Sequence, residues 1–264
     1  MKKLFTLFLM IFLLPVFLFA SDTKSTLDQV VKSGKLRVGM STFIPWAMQT
    51  KTGEWIGFEI DVAKRLAQDM GVKPEFIPTK WSGIIPALLT GKYDIIIGGM
   101  GITPERALKV EFSQPYDYSG MAIVANKNKT NATSLAALNN SDTIITARLG
   151  TTAANVAKKF FPNAKIKLFD DEPQAIQELL NGRATAFVSS APLPAFLAVE
   201  HKDKLYLPIK GTFTKEPVGF AVRRGDQAFL NYLNSWITVV SAEGWLEARK
   251  SYWFESKDWE KLLN

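Results

Sequence analysis

The segment from Gly98 to Tyr116 holds the residues best suited to bind a charged solute. An apolar stretch, Tyr93 to Ile97, runs into a loop with three glycines, and a helix is predicted to begin at Thr103, a favoured N-cap residue. Bare backbone N–H groups in the glycine loop, beside the guanidinium of Arg106, form a natural receptor for a carboxylate. Taken alone, the segment would by default be interpreted as an ordinary strand–turn–helix that carries a surface arginine.

The same segment resembles the core motif of the periplasmic polar amino acid-binding proteins that serve ABC importers. That family follows the pattern D-x-I-x-x-G-M-x-x-T-x-E-R-x-x-x-V-x-F-S-x-P-Y, and the chain matches it from Asp94 to Tyr116. Four more segments that resemble the family follow the expected order: Gly57 to Asp61, Trp81 to Gly91, Leu149 to Thr152 and Leu180 to Arg183. The likeness extends from Gly34 to the C-terminus.

This resemblance implies both a fold and a function. The expected fold is α/β and two-lobed, with two α/β domains joined by a two-strand hinge and a ligand cleft between them. The expected function is that of a solute-binding component of an ABC importer, which captures a small carboxylate-bearing solute by hinge closure and delivers it to a membrane permease. A polar amino acid or a derivative is the leading expectation for the solute.

The resemblance also places the candidate ligand-binding residues. It assigns the carboxylate clamp to Arg106 and a hydroxyl or backbone contact to Thr103, whose other role is the helix N-cap. The aromatic candidates could instead be core residues, and Arg148 could be a solvated strand end. The remaining candidates are Phe43, Trp46, Trp81, Gly99, Met100, Gly101, Arg148, Thr151, Thr152 and Ser190.

Ser190 departs from the family pattern, because relatives place at this position an Asp that binds the ammonium group of the ligand. From Pro173 to Val199 the only acid is Glu178, which is predicted to face water. One explanation is that another acid reaches the amine, for example Glu216 or one near the Phe43 loop. The other is a ligand without a free primary amine: a carboxylic acid, a dianion that uses two arginines, or a methylated ammonium held by aromatic faces.

Hydrophobic periodicity divides the chain into two α/β units. Lobe 1 is expected to comprise residues 21–125 and 216–264, and lobe 2 residues 126–215, with crossovers near Asn126 and between Thr212 and Glu216. The polar stretch from Asn126 to Asn140 is the best linker candidate. A long closing helical region is predicted between Phe229 and Glu247, and the tryptophans near the C-terminus are expected to be packing residues.

Composition excludes several function classes. The chain of 264 residues has no Cys and one His, so disulfides, thiolate catalysis and Cys-ligated metals are excluded, and we expect no cofactor and no metal. The net charge of +7 is spread along the chain rather than clustered, which gives no support to nucleic-acid binding. We expect a monomer that docks transiently on its permease.

The first twenty residues predict a secretory signal peptide. Lys2 and Lys3 precede an apolar run from Leu4 to Phe19, and cleavage is expected after Ala20. An uncleaved anchor is the alternative, whereas a lipoprotein is excluded because there is no Cys. The predicted location is therefore the periplasm.

Two other function classes share this kind of sequence. Cyclohexadienyl dehydratases resemble the same family and use an acid shortly after the position of Ser190, but Leu193 and its neighbours offer none. A sensory protein that presents its ligand to a separate partner is the third class. We expect no enzymatic activity.

Overall fold

Fourteen strands lie in the part of the chain that the computed structural model describes, residues 25–263. The predicted signal peptide lies outside these residues. The strands are β1 (Lys35–Met40), β2 (Met48–Gln49), β3 (Trp55–Ile56), β4 (Lys73–Pro78), β5 (Ile95–Ile96), β6 (Glu111–Phe112), β7 (Asp117–Ser119), β8 (Met121–Asn126), β9 (Ile144–Arg148), β10 (Lys165–Phe169), β11 (Ala186–Ser190), β12 (Leu205–Tyr206), β13 (Glu216–Val218) and β14 (Ala221–Val222).

The α-helices of the same region alternate with these strands in both halves of the chain. They are α1 (Thr26–Ser33), α2 (Phe58–Asp69), α3 (Ile84–Leu89), α4 (Pro104–Ala107), α5 (Thr152–Phe160), α6 (Glu172–Leu180), α7 (Leu193–Glu200), α8 (Gln227–Ala242) and α9 (Trp245–Lys250). In the residues described, no helix is both long enough and apolar enough to cross a membrane.

Two five-stranded sheets form the centres of two lobes, as expected. In lobe 1 the strand order is β4-β1-β5-β14-β6, with β1 parallel to both β4 and β5. In lobe 2 the order is β10-β9-β11-β8-β12, with β9 parallel to both β10 and β11. Parallel strands end at the same edge of a sheet, so the loops that follow them lie together. The predicted α/β fold class is confirmed.

The two lobes are connected by an antiparallel ladder of β7 and β13. Its register pairs Glu216 with Ser119 and Val218 with Asp117, so the chain passes between the lobes twice, side by side. The first crossing comes earlier than the expected position near Asn126, because β8 pairs with β11 and β12 and belongs to lobe 2. The run of apolar residues in β8 gives no sign of which sheet it joins, so pairing alone decides the boundary.

The C-terminal elements pack in the hydrophobic core of lobe 1. The core of lobe 1 contains Trp236, Trp253 and Trp259, each at most 6% exposed, which confirms their expected packing role. The closing helical region is divided into α8 and α9 at Gly244, which has a φ of 71° that favours glycine. Helices α1 and α7 were not predicted from the sequence.

Candidate functional site

The cleft between the lobes lies at the carboxyl ends of the parallel strands. Loops after β1 and β5 contribute from lobe 1, and loops after β9 and β10 contribute from lobe 2. The cavity there is lined by Phe43, Trp81, Gly98, Gly99, Gly101, Arg106, Arg148, Thr151, Thr152, Ala153, Glu172, Ser189 and Ser190. Nine of the twelve predicted site residues are in this set; Thr103 and Met100 line an adjoining opening and Trp46 lines neither.

Arg106 projects into the cleft from the first turn of α4. The hydroxyl of Thr103 accepts a hydrogen bond from the backbone N–H of Arg106 at 3.2 Å, which confirms Thr103 as the N-cap. The guanidinium donates to the carbonyl oxygen of Gly101 at 2.7 Å and to that of Gly150, in lobe 2, at 3.2 Å. Burial lowers the pKa of Arg106, although Glu216 and Glu105 raise it, and an arginine remains charged throughout.

In the described part of the chain, Arg106 has no anionic partner in direct contact. No carboxylate oxygen of residues 25–263 lies within 4.0 Å of its guanidinium, in contrast to Arg37, which pairs with Asp94 at 2.6 Å. Both carbonyl acceptors carry only partial charges. A buried guanidinium in this state is an open receptor for a carboxylate, which it can bind through two parallel hydrogen bonds.

Trp81 forms an aromatic wall of the cleft. Its indole N–H donates to the carbonyl oxygen of Gly150 at 3.1 Å, so Trp81 and Arg106 share one acceptor in lobe 2. The guanidinium carbons of Arg106 and Arg148 lie 5.8 and 6.0 Å from the centre of the Trp81 ring. These distances fall within the range of cation–π attraction, so the ring also keeps the two cations in place.

Two of the predicted site residues support the cleft from behind. Trp46 is 1% exposed and packs in the lobe 1 core, with its ring stacked under Phe43 at 5.6 Å and an interplanar angle of 3°. Its expected place in the cleft is therefore wrong, because Phe43 covers it. The side chain of Met100 is fully buried in a cluster with Trp81 and Ile84.

The start of α5 supplies the lobe 2 side of the cleft. Thr151 is the N-cap: its hydroxyl accepts from the backbone N–H of Ala154 at 3.2 Å and donates to the carbonyl of Arg148 at 2.6 Å. Gly150 has a φ of 76°, a left-handed conformation that turns its carbonyl towards Arg106 and Trp81 in lobe 1. Thr151 and Thr152 both line the cavity, as expected.

Arg148 spans the two lobes from the end of β9. Its guanidinium donates to the Ser41 hydroxyl at 2.6 Å and to the Thr42 carbonyl at 3.1 Å, both in lobe 1, and its Nε donates to the Asp170 carbonyl at 3.3 Å. The residue is 6% exposed, so the alternative of a solvated strand end is wrong. Burial lowers the pKa of Arg148, while the acids at Glu172, Asp171 and Asp170 raise it.

Glu172 is the cleft residue that the sequence reasoning missed. It is the first residue of α6, directly before the acid-poor stretch from Pro173 to Val199, and is 6% exposed. The Ser189 hydroxyl donates to its Oε1 at 2.6 Å. Burial raises the pKa of Glu172 to about 7, against the lowering effects of Ser189 and Arg148. The acidic run from Asp170 to Glu172, at the end of a parallel strand, was the signal that could have identified it.

A buried carboxyl group lies beneath the glycine loop. Glu59, on α2, is fully buried and accepts the hydroxyl of Tyr116 at 2.8 Å from each carboxyl oxygen. Burial raises the pKa of Glu59 to about 8, although the Tyr116 hydroxyl and the backbone N–H of Gly99 lower it. The amide of Gly99 thus lies close to Glu59, and the expectation that the loop amides are all bare does not hold for Gly99.

Comparison with known proteins agrees with this architecture. The model of the bacterial extracellular solute-binding proteins, family 3, matches residues 36–256. The L-cystine-binding protein of Escherichia coli strain K12 is 29% identical over 239 residues, which cover 86% of this chain and 85% of that protein.

Two further matches concern a related enzyme and its precursor. The crystal structure of an ancestral amino acid-binding protein, a precursor of cyclohexadienyl dehydratase, is 43% identical with a TM-score of 0.79 and covers 87% of this chain and 99% of that one. The cyclohexadienyl dehydratase of Pseudomonas aeruginosa strain PAO1 is 25% identical over 238 residues, 88% of this chain and 87% of that enzyme.

Proposed function

The chain belongs to the bacterial extracellular solute-binding proteins of family 3, and on that premise we propose that it captures a small carboxylate-bearing solute, an amino acid or a derivative, between its lobes. The protein then delivers the captured solute to a membrane ABC permease. Proteins of this family act outside the cytoplasm, and we place this one in the periplasm as a monomer, after removal of residues 1–20.

One observation carries the proposal: the unpaired guanidinium of Arg106 in the cleft. It is held by two carbonyl oxygens, one from each lobe, and has no carboxylate in contact among residues 25–263. A solute carboxylate would neutralise it with charge-assisted hydrogen bonds. We assign the carboxylate to Arg106, the flanking contacts to Thr151, Thr152 and the backbone of Gly101, and the apolar walls to Phe43 and Trp81.

Capture follows from contacts that exist only when the lobes are together. Arg106 and Trp81 reach the carbonyl of Gly150 across the cleft, and Arg148 reaches Ser41 and Thr42. A solute that touches both lobes adds its own contacts to this closed arrangement and shifts the equilibrium towards it. The permease then distinguishes a loaded protein from an empty one by the arrangement of the lobes.

We propose binding without chemical conversion, although one relative is an enzyme. At the position where the resemblance places the catalytic acid, the chain has Leu193, whose side chain is 4% exposed in an apolar cluster of lobe 2. Incubation with a cyclohexadienyl carboxylic acid and analysis of the products by liquid chromatography checks this point. We expect the substrate to be recovered unchanged, and turnover above the uncatalysed rate would establish the enzyme instead.

A thermal-shift screen tests the binding proposal. The secreted form is unfolded and refolded to remove carried-over ligand, then screened against the standard amino acids, dicarboxylates, keto acids and betaines. A ligand at about 100 times its Kd stabilises the native state by about 2.7 kcal/mol. Arg106→Met should abolish the shift. Arg183→Met is the matched control, since Arg183 pairs with Glu178 on the outer surface of lobe 2. A full shift in Arg106→Met would refute the proposed clamp.

A further inference from the structure

The cleft contains two guanidinium groups, and neither has a carboxylate oxygen of residues 25–263 within 4.0 Å. Arg148 donates three of its five N–H groups to the protein: from Nη2 to Ser41, from Nη1 to Thr42 and from Nε to Asp170. Arg106 donates two, to the carbonyl oxygens of Gly101 and Gly150. Arg148 connects the lobes, whereas Arg106 has more donors available for a solute carboxylate.

The cleft also contains the carboxyl group of Glu172, of which one oxygen is hydrogen-bonded to the protein. Oε1 of Glu172 accepts the Ser189 hydroxyl at 2.6 Å, whereas Oε2 makes no hydrogen bond to any residue between 25 and 263. No cationic nitrogen of the same region lies within 4.0 Å of the carboxylate, and Arg148 attracts it only from a greater distance. A buried carboxylate without a charged partner is costly, so this oxygen is suited to accept a cationic donor.

Glu172 shares its cavity with both Arg106 and Ser190. The other acid considered from the sequence, Glu216, is placed differently. Its Oε1 accepts the Thr214 hydroxyl at 3.2 Å, and its Oε2 lies beside Gly101 and Arg106, at the end of the cleft assigned to the solute carboxylate. It is not among the residues that line the cavity. Among residues 25–263, the hydroxyl of Ser190 has only the sulfur of Met121 as a partner, at 3.9 Å, and it carries no charge. Glu172 is thus the acid among the residues that line the cavity.

We infer that Glu172, through its Oε2 atom, binds the ammonium group of a zwitterionic solute whose carboxylate is held by Arg106. The inference rests on the proposed function and narrows it: the solute is an amino acid with a free amine, not a carboxylic acid, a dianion or a quaternary amine. Glu172 supplies from the start of α6 the negative charge that the family pattern places at the end of β11. The replacement preserves the charge pattern of the cleft while changing the element that provides it.

The test pairs a protein change with the matching ligand change. The probes are the standard L-amino acids and, for each one that binds, the carboxylic acid with the same side chain and no amine. Isothermal titration calorimetry gives Kd for the wild-type protein and for Glu172→Gln. We expect Glu172→Gln to weaken amino acid binding at least tenfold and to change binding of the deaminated acid less than threefold. The effects of removing the Glu172 charge and of removing the ligand amine on the binding free energy should therefore be strongly non-additive.

A control on the same helix separates this effect from a loss of structure. Glu178→Gln makes the same substitution at a residue paired with Arg183 away from the cleft, and should leave both affinities unchanged. Far-UV circular dichroism and thermal midpoints confirm that each variant is folded. Equal weakening of both ligands by Glu172→Gln, or no weakening of either, would overturn the inference while leaving carboxylate binding intact. If the wild-type protein bound no carboxylate-bearing solute, the proposed function and the inference would both fail.

Discussion

Arg148, at the end of a strand in lobe 2, donates a hydrogen bond of 2.6 Å to the hydroxyl of Ser41 in lobe 1. Arg106 and Trp81 make the reciprocal connection, from lobe 1 to the carbonyl of Gly150 in lobe 2. Three residues that line the cleft, Trp81, Arg106 and Arg148, therefore also connect the lobes. We expect solute binding and lobe closure to be coupled, because Arg106 and Trp81 are assigned to both.

Removal of the Ser41 hydroxyl should weaken solute binding without unfolding the protein. Ser41→Ala deletes a charge-assisted hydrogen bond of a type that contributes about 1.5–3 kcal/mol, and this bond exists only in the closed arrangement. We expect Kd to rise about tenfold and the urea midpoint of the unliganded protein to change little. Ser33→Ala, on the exposed face of α1, is the control. An unchanged Kd in Ser41→Ala would show that the link does not contribute to closure.

The glycine loop offers a matched pair of substitutions. Gly99 has a φ of 67°, and a Cβ atom there would lie 2.9 Å from the Trp46 ring, whereas Gly101 has an ordinary φ and its nearest neighbour would be Glu216 Oε2 at 3.3 Å. Gly99→Ala should therefore reduce the free energy of unfolding by more than about 1 kcal/mol. Gly101→Ala should be close to wild type. Urea denaturation measures both, and equal stabilities would mean that the strain at Gly99 is relieved by movement of Trp46.

Glu59 should make stability depend on pH. Burial raises its pKa to about 8 in the folded protein from an ordinary value of 4.5, so between these values the folded state holds a proton that the unfolded state releases. Stability from this group is present at low pH and is lost as the pH rises from 4.5 through 8, by an amount on the order of a few kcal/mol. Tyr116, Asp117 and the amide of Gly99 are the groups that face it.

Glu59→Gln removes this titration while it keeps an acceptor for the Tyr116 hydroxyl. We expect the variant to lose less stability than the wild-type protein between pH 6 and pH 9, measured by urea denaturation at several pH values. Glu54→Gln, at an exposed pair with Lys64, is the control and should follow the wild-type curve. A Glu59→Gln curve that is parallel to the wild-type curve would contradict the assignment.

Amino acid binding should strengthen with rising pH if Glu172 holds the ammonium group. Burial raises the pKa of Glu172 to about 7, and only its ionised form attracts a cation. Arg148 and Ser189 are the charged or polar groups that face it, and Arg148 is in turn attracted by Asp170 and Asp171. Affinity should fall by up to about tenfold per pH unit below this pKa and level off above it. In Glu172→Gln the dependence should be lost; titration calorimetry from pH 5.5 to 8.5 makes the comparison.

The sequence predicted the backbone elements around the site better than the charged side chains within it. The match from Asp94 to Tyr116 placed Thr103 as a cap and Arg106 in the cleft, because motif and local helix chemistry agree there. The sequence could not show which of Phe43 and Trp46 lines the cleft, since both are aromatic and their packing decides which ring covers the other.

The remaining differences between the predicted and the observed structure depend on contacts between residues that are distant in the chain. The strand β8 is apolar from Met121 to Ala125, so its membership of lobe 2 depends on its partner β11 rather than on any local signal. Glu172 was missed for a similar reason: it lies near Ser189 in space but 17 residues away in the chain. Glu172 lies one residue before the stretch from Pro173 to Val199, and it is the fold that brings it next to Ser189.

A crystal structure of the protein with the tightest-binding solute from the screen is the most direct measurement of the central claim. We predict that both carboxylate oxygens of the solute lie within hydrogen-bonding distance of the Arg106 guanidinium, between Trp81 and the start of α5. A solute bound in the cleft with its carboxylate away from Arg106, or bound outside the cleft, would contradict the claim that Arg106 is the open receptor.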